Sequence, residues 1–148
     1  MGAAELRGRL SKFQDTSLSA WEKVKFKERS GNFGDVIVPG EGNINIIDFL
    51  ELYDNFYEVS GKLAEIHNKL KGAVAIVAQQ KNRGADTGLG GERTIEKPRL
   101  SLNMGHGFLK IRKNKNRIGG ENTDGQRINF KLINGCKFIP QGGWHYDI

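Results

Sequence analysis

The sequence predicts an α/β fold with a mainly parallel sheet, flanking helices and a C-terminal β-hairpin region. First, apolar segments at residues 44–52 and 73–78 flank residues 54–71, whose apolar side chains recur at spacings of three and four. This strand–helix–strand order is a βαβ unit, so the two strands should be parallel, and the first resembles a strand buried on both faces. Second, short segments near the C-terminus alternate apolar and polar residues around turns. Third, 148 residues without an internal repeat predict a single domain, residues 1–148.

The N-terminal and loop segments follow from shorter patterns. Leucines spaced four apart and a tryptophan on one side predict two short helices, over residues 3–10 and 18–24. A short apolar run before a Pro-Gly pair predicts a strand over residues 35–38. Two polar segments that contain several glycines, residues 79–97 and 114–125, predict long loops.

The C-terminal half predicts two β-hairpins. Its four expected strands cover residues 99–104, 108–113, 127–133 and 136–139. Gly105-His106-Gly107 should form the turn of the first hairpin, and Asn134-Gly135 that of the second, because these residues tolerate the positive φ angles of tight turns.

Composition limits the class of protein. The longest apolar runs are far shorter than a membrane span and the N-terminus has no apolar core, so we expect a cytoplasmic chain without a membrane partner. A single cysteine, Cys136, excludes an internal disulfide. The net charge is +6, and residues 110–131 hold seven basic against two acidic residues. This balance suits a polyanion such as nucleic acid, although a basic run is also common on a solvated surface.

The end of each predicted parallel strand carries a polar residue of interest. Asp48 follows the apolar run 44–47, which is the Walker B pattern, and its carboxylate could hold Mg²⁺ through water. An aspartate in this position also commonly caps the following turn. Glu51 is either catalytic or a surface residue. Gln79 and Gln80 end the next strand, beside Asp48, and could sense a phosphate or simply open a loop.

A basic run at residues 112–117 forms the third candidate site. Its closely spaced cations could contact phosphates of DNA or a nucleotide bound to a neighbouring subunit, or form a solvated face. The sequence contains no Gly-x-x-x-x-Gly-Lys-Ser/Thr motif, and therefore no Walker A loop that would cradle phosphates. The spacing of its histidines supports neither a hydrolase triad nor a metal site.

The order of these segments resembles the C-terminal portion of a RecA-like P-loop ATPase, of the DnaB-type replicative helicase or phage recombination ATPase kind. The resemblance covers about residues 1–117. It rests on the following segments, together with the glycine-rich loop between the last two: Met-Gly-Ala-Ala-Glu-Leu at 1–6, Ile-Ile-Asp-Phe-Leu at 46–50, Ala-Ile-Val-Ala-Gln-Gln at 75–80, and Lys-Asn-Lys-Asn at 113–116. It implies a chain that begins just after the catalytic glutamate and is truncated before Met1, without the Walker A loop.

The resemblance also implies roles for individual residues. Asp48 would be the Walker B aspartate, which binds the cofactor through Mg²⁺ and water, and Gln79 or Gln80 would be the sensor glutamine. The loop over residues 82–97 would contact single-stranded DNA, through the basic residues Arg83, Arg93 and Lys97. Lys113 and Lys115 would reach the nucleotide of the neighbouring subunit. The family usually has arginine at the second of these two positions, and a lysine cannot make the same bidentate contact.

Two functions from different classes follow. In the first, the chain is the C-terminal fragment of a DNA-dependent ATPase of DNA replication or recombination. Its parent would bind ATP and Mg²⁺ between the subunits of a homo-oligomer, while this fragment would bind single-stranded DNA, hold no cofactor and lack ATPase activity alone. In the second, the chain is a stand-alone basic module for nucleic-acid binding or assembly without ATPase function. A structural interaction domain without a nucleic-acid role is a third alternative.

Overall fold

The computed structural model describes residues 3–50 and 55–147, which form a mixed α/β fold with two sheets. Its helices and strands are α1 (Ala3–Leu10), α2 (Leu18–Trp21), β1 (Ile44–Ile47), α3 (Val59–Leu70), β2 (Val74–Val77), β3 (Leu100–Gly105), β4 (Phe108–Asn114), β5 (Arg127–Ile133) and β6 (Lys137–His145). Short 3-10 helices cover Phe33–Val36, Phe56–Glu58, Gly91–Ile95 and Ile118–Gly120. Met1, Glu51 and Asp54, which the sequence analysis used, lie outside the described residues.

The predicted βαβ unit is confirmed. β1 and β2 pair in parallel, with Ile44 opposite Val74 and Ile47 opposite Val77. α3 packs against one face of this pair, and its period-3.6 apolar stripe meets the inward side chains of the strands. The resulting core cluster consists of Ile47, Leu50, Val59, Leu63 and Ile66.

The outer face of the parallel pair is exposed, so the prediction of a strand buried on both faces is wrong. Ile44 and Ile46 are 66% and 71% exposed, and Val74 and Ile76 are both 55% exposed. The sequence pattern gave the apolar character of both strand faces correctly. Burial of the second face would require another layer of structure, and the described residues place α3 on the first face only.

The larger sheet is an antiparallel meander, so the prediction of a mainly parallel sheet is wrong. Its four strands run in the order β3-β4-β5-β6, against two strands in the parallel pair. The physical reason is the length of the connections, because two-residue turns can join only antiparallel strands. His106-Gly107 is such a turn. Asn134-Gly135-Cys136 is a three-residue loop between Ile133 and Lys137, in which Asn134 and Gly135 have φ angles of 53° and 71°, as a type I′ turn requires. Both predicted hairpins are therefore confirmed.

Residues 35–38 do not form the predicted strand. Phe33–Val36 is a 3-10 helix, and the chain becomes extended only after it. Val38 is instead bound by one side chain of the neighbouring strand. Its N–H donates to Oδ1 of Asn45 at 2.8 Å, and its carbonyl accepts from Nδ2 of Asn45 at 3.0 Å. The amide of Asn45 thus takes the place of a strand partner for this residue.

Two predicted helices are shorter in the structure than in the sequence analysis. α2 ends at Trp21 rather than residue 24, and α3 begins at Val59, after the 3-10 turn Phe56–Glu58. α3 ends at Leu70, before two residues of positive φ, Lys71 and Gly72. Within the described part of the chain, none of the helices combines the length and apolar character that crossing a bilayer requires.

Candidate nucleic-acid interface

The long loop after β2 is attached to one face of the meander by polar side chains. Asn103 on β3 is only 4% exposed, and its Nδ2 donates to Oδ1 of Asp86 in the loop at 2.8 Å. From β4, Nζ of Lys110 lies 3.7 Å from Oδ2 of Asp86, and Nη2 of Arg112 donates to Oε1 of Glu92 at 3.1 Å. We call this side of the meander the polar face. These contacts therefore fix the position of the loop on the sheet.

Ion pairs involve several of the basic residues at positions 110–131. Besides Lys110 and Arg112, Arg117 donates to Asp124 at 2.9 Å and Arg127 to Asp147 at 3.1 Å. Among the described residues, no carboxylate lies within ion-pair distance of Lys113, Lys115 or Lys131. Counting the basic residues in the sequence thus overstates the unpaired positive charge that this segment presents to a polyanion.

Four cations meet where the long loop ends and β3 begins. Lys113 lies opposite Ser101 in the β3–β4 ladder, beside a β-bulge, and the N–H of Lys115 donates to the carbonyl of Arg99 at 2.9 Å. Nζ of Lys115 donates to the backbone carbonyl of Glu96, next to Lys97. We call these four side chains the basic cluster: Lys97, Arg99, Lys113 and Lys115. The pairing of β3 with β4 is what brings the two halves of the cluster together.

The electrostatics of the basic cluster are those of mutually repelling cations. Partial burial, followed by repulsion from Lys113, Arg99 and Lys97, lowers the pKa of Lys115 from its usual value. Glu96 acts in the opposite direction on Lys115. Its carboxylate also accepts a hydrogen bond from the hydroxyl of Ser60 on α3, at 3.1 Å. The cluster is therefore only partly neutralised by the protein itself.

The three loop residues for which the resemblance implies contact with DNA lie in different parts of the structure. Lys97 belongs to the basic cluster. Arg93 lies on the 3-10 helix Gly91–Ile95, and its Nη1 donates to the carbonyl of Tyr57 at 3.3 Å, at the start of α3. Arg83 is exposed in a turn of the loop. Of the three, Lys97 is the one that the strand pairing joins to Lys113 and Lys115.

Asp48 and Gln79 lie at the same end of the parallel pair, as predicted from strand order. The N–H of Ala78 donates to the carbonyl of Ile47, and that of Leu50 donates to the carbonyl of Ala78, both at 2.9 Å. Asp48 is exposed and lines an open cavity of about 630 Å³ with Phe49 and residues 28–32. A candidate Mg²⁺ ligand thus has solvent access.

The two glutamines have different surroundings. The side chain of Gln79 packs against Gly88 of the long loop, where an added Cβ would lie 2.8 Å from its Oε1. This oxygen is buried and has no hydrogen-bond partner among the described residues. Gln80 is exposed, and its carbonyl accepts from the N–H of Leu89 at 2.8 Å. Gln79 is therefore packed under the loop rather than lining the cavity beside Asp48.

Metal-ligating side chains are dispersed in the described ranges, which contain no group of three or more His, Cys, Asp or Glu residues placed to hold an ion. Asp48 and Glu28 are the two carboxylates that line the cavity in the described part of the chain. A cation there would depend largely on water or on a ligand's own oxygens for its remaining contacts.

The sequence did not indicate one member of the basic cluster, Arg99. It also did not indicate the ion pairs that Asp86 and Glu92 form with Lys110 and Arg112. Arg99 directly precedes β3 and follows Pro98, which is a readable strand-start signal. The pairings of Asp86 and Glu92 depend on how the loop folds back on the sheet, and no local pattern encodes that. Comparisons with protein-family models, characterised proteins and solved structures give no match to this chain.

Proposed function

We propose that this chain binds single-stranded DNA through the phosphate backbone, with the basic cluster as the contact surface. The observation that carries the proposal is the convergence of Lys97, Arg99, Lys113 and Lys115 at one end of the β3–β4 ladder. Bringing like charges together costs free energy, and a bound phosphate would offset that cost. Unlike Lys110 and Arg112, these four cations have no carboxylate within ion-pair distance among the described residues.

The composition of the basic cluster also defines the kind of binding. Its members are lysines and one arginine, without an aromatic ring on which a base could stack. Binding should therefore be mainly electrostatic, weak for one copy and indifferent to base sequence. A flexible single strand can follow an irregular set of cations more closely than a duplex, so we expect single strands to be preferred.

The first test compares two double variants that remove the same charge. Lys113→Ala/Lys115→Ala removes half of the basic cluster, whereas Lys131→Ala/Lys137→Ala removes two exposed lysines at the far end of the meander. We measure the affinity for labelled oligo-dT by fluorescence anisotropy over a salt series. The slope of log affinity against log salt should flatten by about 0.7 per lost contact in the cluster variant, and stay close to wild type in the control.

Three results would contradict the proposed contact surface. An unchanged slope in a folded Lys113→Ala/Lys115→Ala variant would make the cluster a solvated face. Equal flattening in both variants would mean that net charge, rather than this cluster, attracts the strand. Tighter binding to duplex than to single-stranded DNA would contradict the strand preference.

A second candidate function is the fragment of a RecA-like ATPase, acting in DNA replication or recombination as part of a homo-oligomer. The observation that favours it is the parallel pair, which has Asp48 and Gln79 at the same end. In this function, Asp48 would hold Mg²⁺, and Gln79 or Gln80 would sense the nucleotide. Lys113 and Lys115 would reach across a subunit boundary. The DNA-binding function does not depend on any of these roles.

We expect no saturable binding of Mg-ATP by this chain at sub-millimolar concentration. The sequence offers no glycine-rich loop whose backbone N–H groups and lysine would cradle the phosphates, and Asp48 alone contacts only one side of a hydrated Mg²⁺. Isothermal calorimetry of the wild type and of Asp48→Ala checks this. A stoichiometric isotherm that Asp48→Ala abolishes would show that the chain has a nucleotide site of its own.

A further inference from the structure

The side of the meander opposite the polar face is apolar on all four strands. The strand register places one alternate set of side chains from each strand on this side. We call it the open face, and its members are Leu100, Leu102, Met104, Leu109, Ile111, Ile128, Phe130, Leu132 and Phe138. Pro140, opposite Phe130, and the polar Asn114, opposite Leu100, share this side, which carries no charged group at the paired positions.

The exposure of the open face is unusual for an antiparallel sheet. Such sheets normally bury the apolar face and leave the polar face in water. Here the long loop contacts the β3 and β4 part of the polar face, whereas five of the nine apolar side chains on the open face are 42% to 58% exposed. Phe130 is buried at 8%, with its ring stacked on Phe138 at a centroid distance of 4.3 Å. The five exposed side chains therefore lack cover from the described part of the chain, whereas Leu109, Ile111 and Ile128 are half-buried.

The total surface area is larger than that of a compact monomer of the same mass. The chain exposes 10796 Å², whereas a compact monomer of 16.5 kDa exposes about 7,500 Å². The excess of about 3,000 Å² is several times the roughly 800 Å² that each partner contributes to an interface of standard size. Five of the large apolar side chains that are exposed in the described part of the chain lie on the open face.

We propose that the open face is the interface between two copies of this chain, packed sheet on sheet about a twofold axis. In a twofold interface the same surface of both copies is in contact, which suits a face made mainly of apolar side chains. An extended apolar surface of this kind is typical of permanent homodimers rather than of transient complexes with a polar partner. The basic side chains Lys110, Arg112 and Arg127 lie on the polar face, so the net charge of +6 opposes this association little.

The inference is independent of the DNA-binding proposal, and it predicts a stable dimer at micromolar concentration. The discriminating variants both add two lysines at exposed apolar positions. Leu102→Lys/Leu132→Lys alters the open face, and Ile46→Lys/Ile76→Lys alters the outer face of the parallel pair, the other exposed apolar surface. Sedimentation velocity should give a dimer for the wild type and the second variant, and a monomer for the first. The circular dichroism spectrum of the first variant should match that of the wild type.

A second measurement does not depend on whether a lysine variant folds. In a Cys136→Ser background, Leu102→Cys should react with a thiol reagent more slowly as the protein concentration rises, while Ile46→Cys should react at a constant rate. A monomeric wild type would overturn the proposal. A labelling rate at Leu102→Cys that is independent of concentration would overturn it too. So would a dimer that only the Ile46→Lys/Ile76→Lys variant dissociates, since that would move the interface to the parallel pair.

Discussion

Replacing Ile66 by alanine is expected to lower the free energy of unfolding by about 2–5 kcal/mol. Ile66 is 3% exposed and lies in the middle of the cluster that joins α3 to the parallel pair. The alanine would lose the transfer free energy of the removed methyl and methylene groups, and would leave a cavity that α3 cannot close without moving. Because small domains are stable by only about 5–15 kcal/mol, this loss is a large fraction of the total.

The matched control is Ile46→Ala, which removes the same atoms at a side chain that is 71% exposed. Its effect should stay within about 0.5 kcal/mol, because an exposed side chain loses little burial and leaves no cavity. Urea denaturation followed by circular dichroism measures both variants. Similar losses at the two positions would contradict the packing of α3 on one face of the parallel pair.

The second large effect is expected at the first hairpin turn, where Gly105→Ala should destabilise the protein by about 1–3 kcal/mol. Gly105 pairs with Phe108 across the turn, and an added Cβ would overlap the aromatic ring of Phe108. This ring also lies 4.4 Å from the guanidinium carbon of Arg127, so it cannot move without disturbing that contact. The glycine is required here because the ring covers its Cα, and not because of its φ angle.

Gly61→Ala is the control for this substitution and should act in the opposite direction. Gly61 lies near the start of α3, is exposed, and has open space where its Cβ would be. Alanine is favoured over glycine in helices by up to about 1 kcal/mol, so a small gain in stability is expected. Thermal unfolding of both variants measures the difference. A Gly105→Ala variant as stable as the wild type would contradict the placement of the Phe108 ring.

Much of the fold could be predicted because it is encoded locally. The apolar spacing around Leu63 predicts α3, and the Asn134-Gly135 pair predicts the second hairpin, since both signals act over a few residues. The strand expected over residues 35–38 could not be distinguished from a segment held by the amide of Asn45. Both segments have a short apolar sequence, and the difference depends on a side chain of another element.

The candidate site was less predictable than the fold because it depends on contacts between distant segments. Lys113 and Lys115 could be identified from their run of charges, but their approach to Lys97 required the pairing of β3 with β4. The neutralisation of Lys110 by Asp86 joins residues on either side of β3. Such pairs leave no periodic signal in a sequence, and a charge count cannot separate cations that are occupied from cations that are available.

The acids of the long loop have a consequence for any polyanion that approaches the meander. Asp86 and Glu92 form ion pairs with Lys110 and Arg112. Their carboxylate oxygens are the same kind of acceptor as the oxygens of a phosphate. If the proposed DNA binding holds, a nucleic acid would have to compete with these carboxylates or bind beside them. In that proposed function, the negative charge of the loop, rather than the number of basic residues on the sheet, would limit the size of the footprint on DNA.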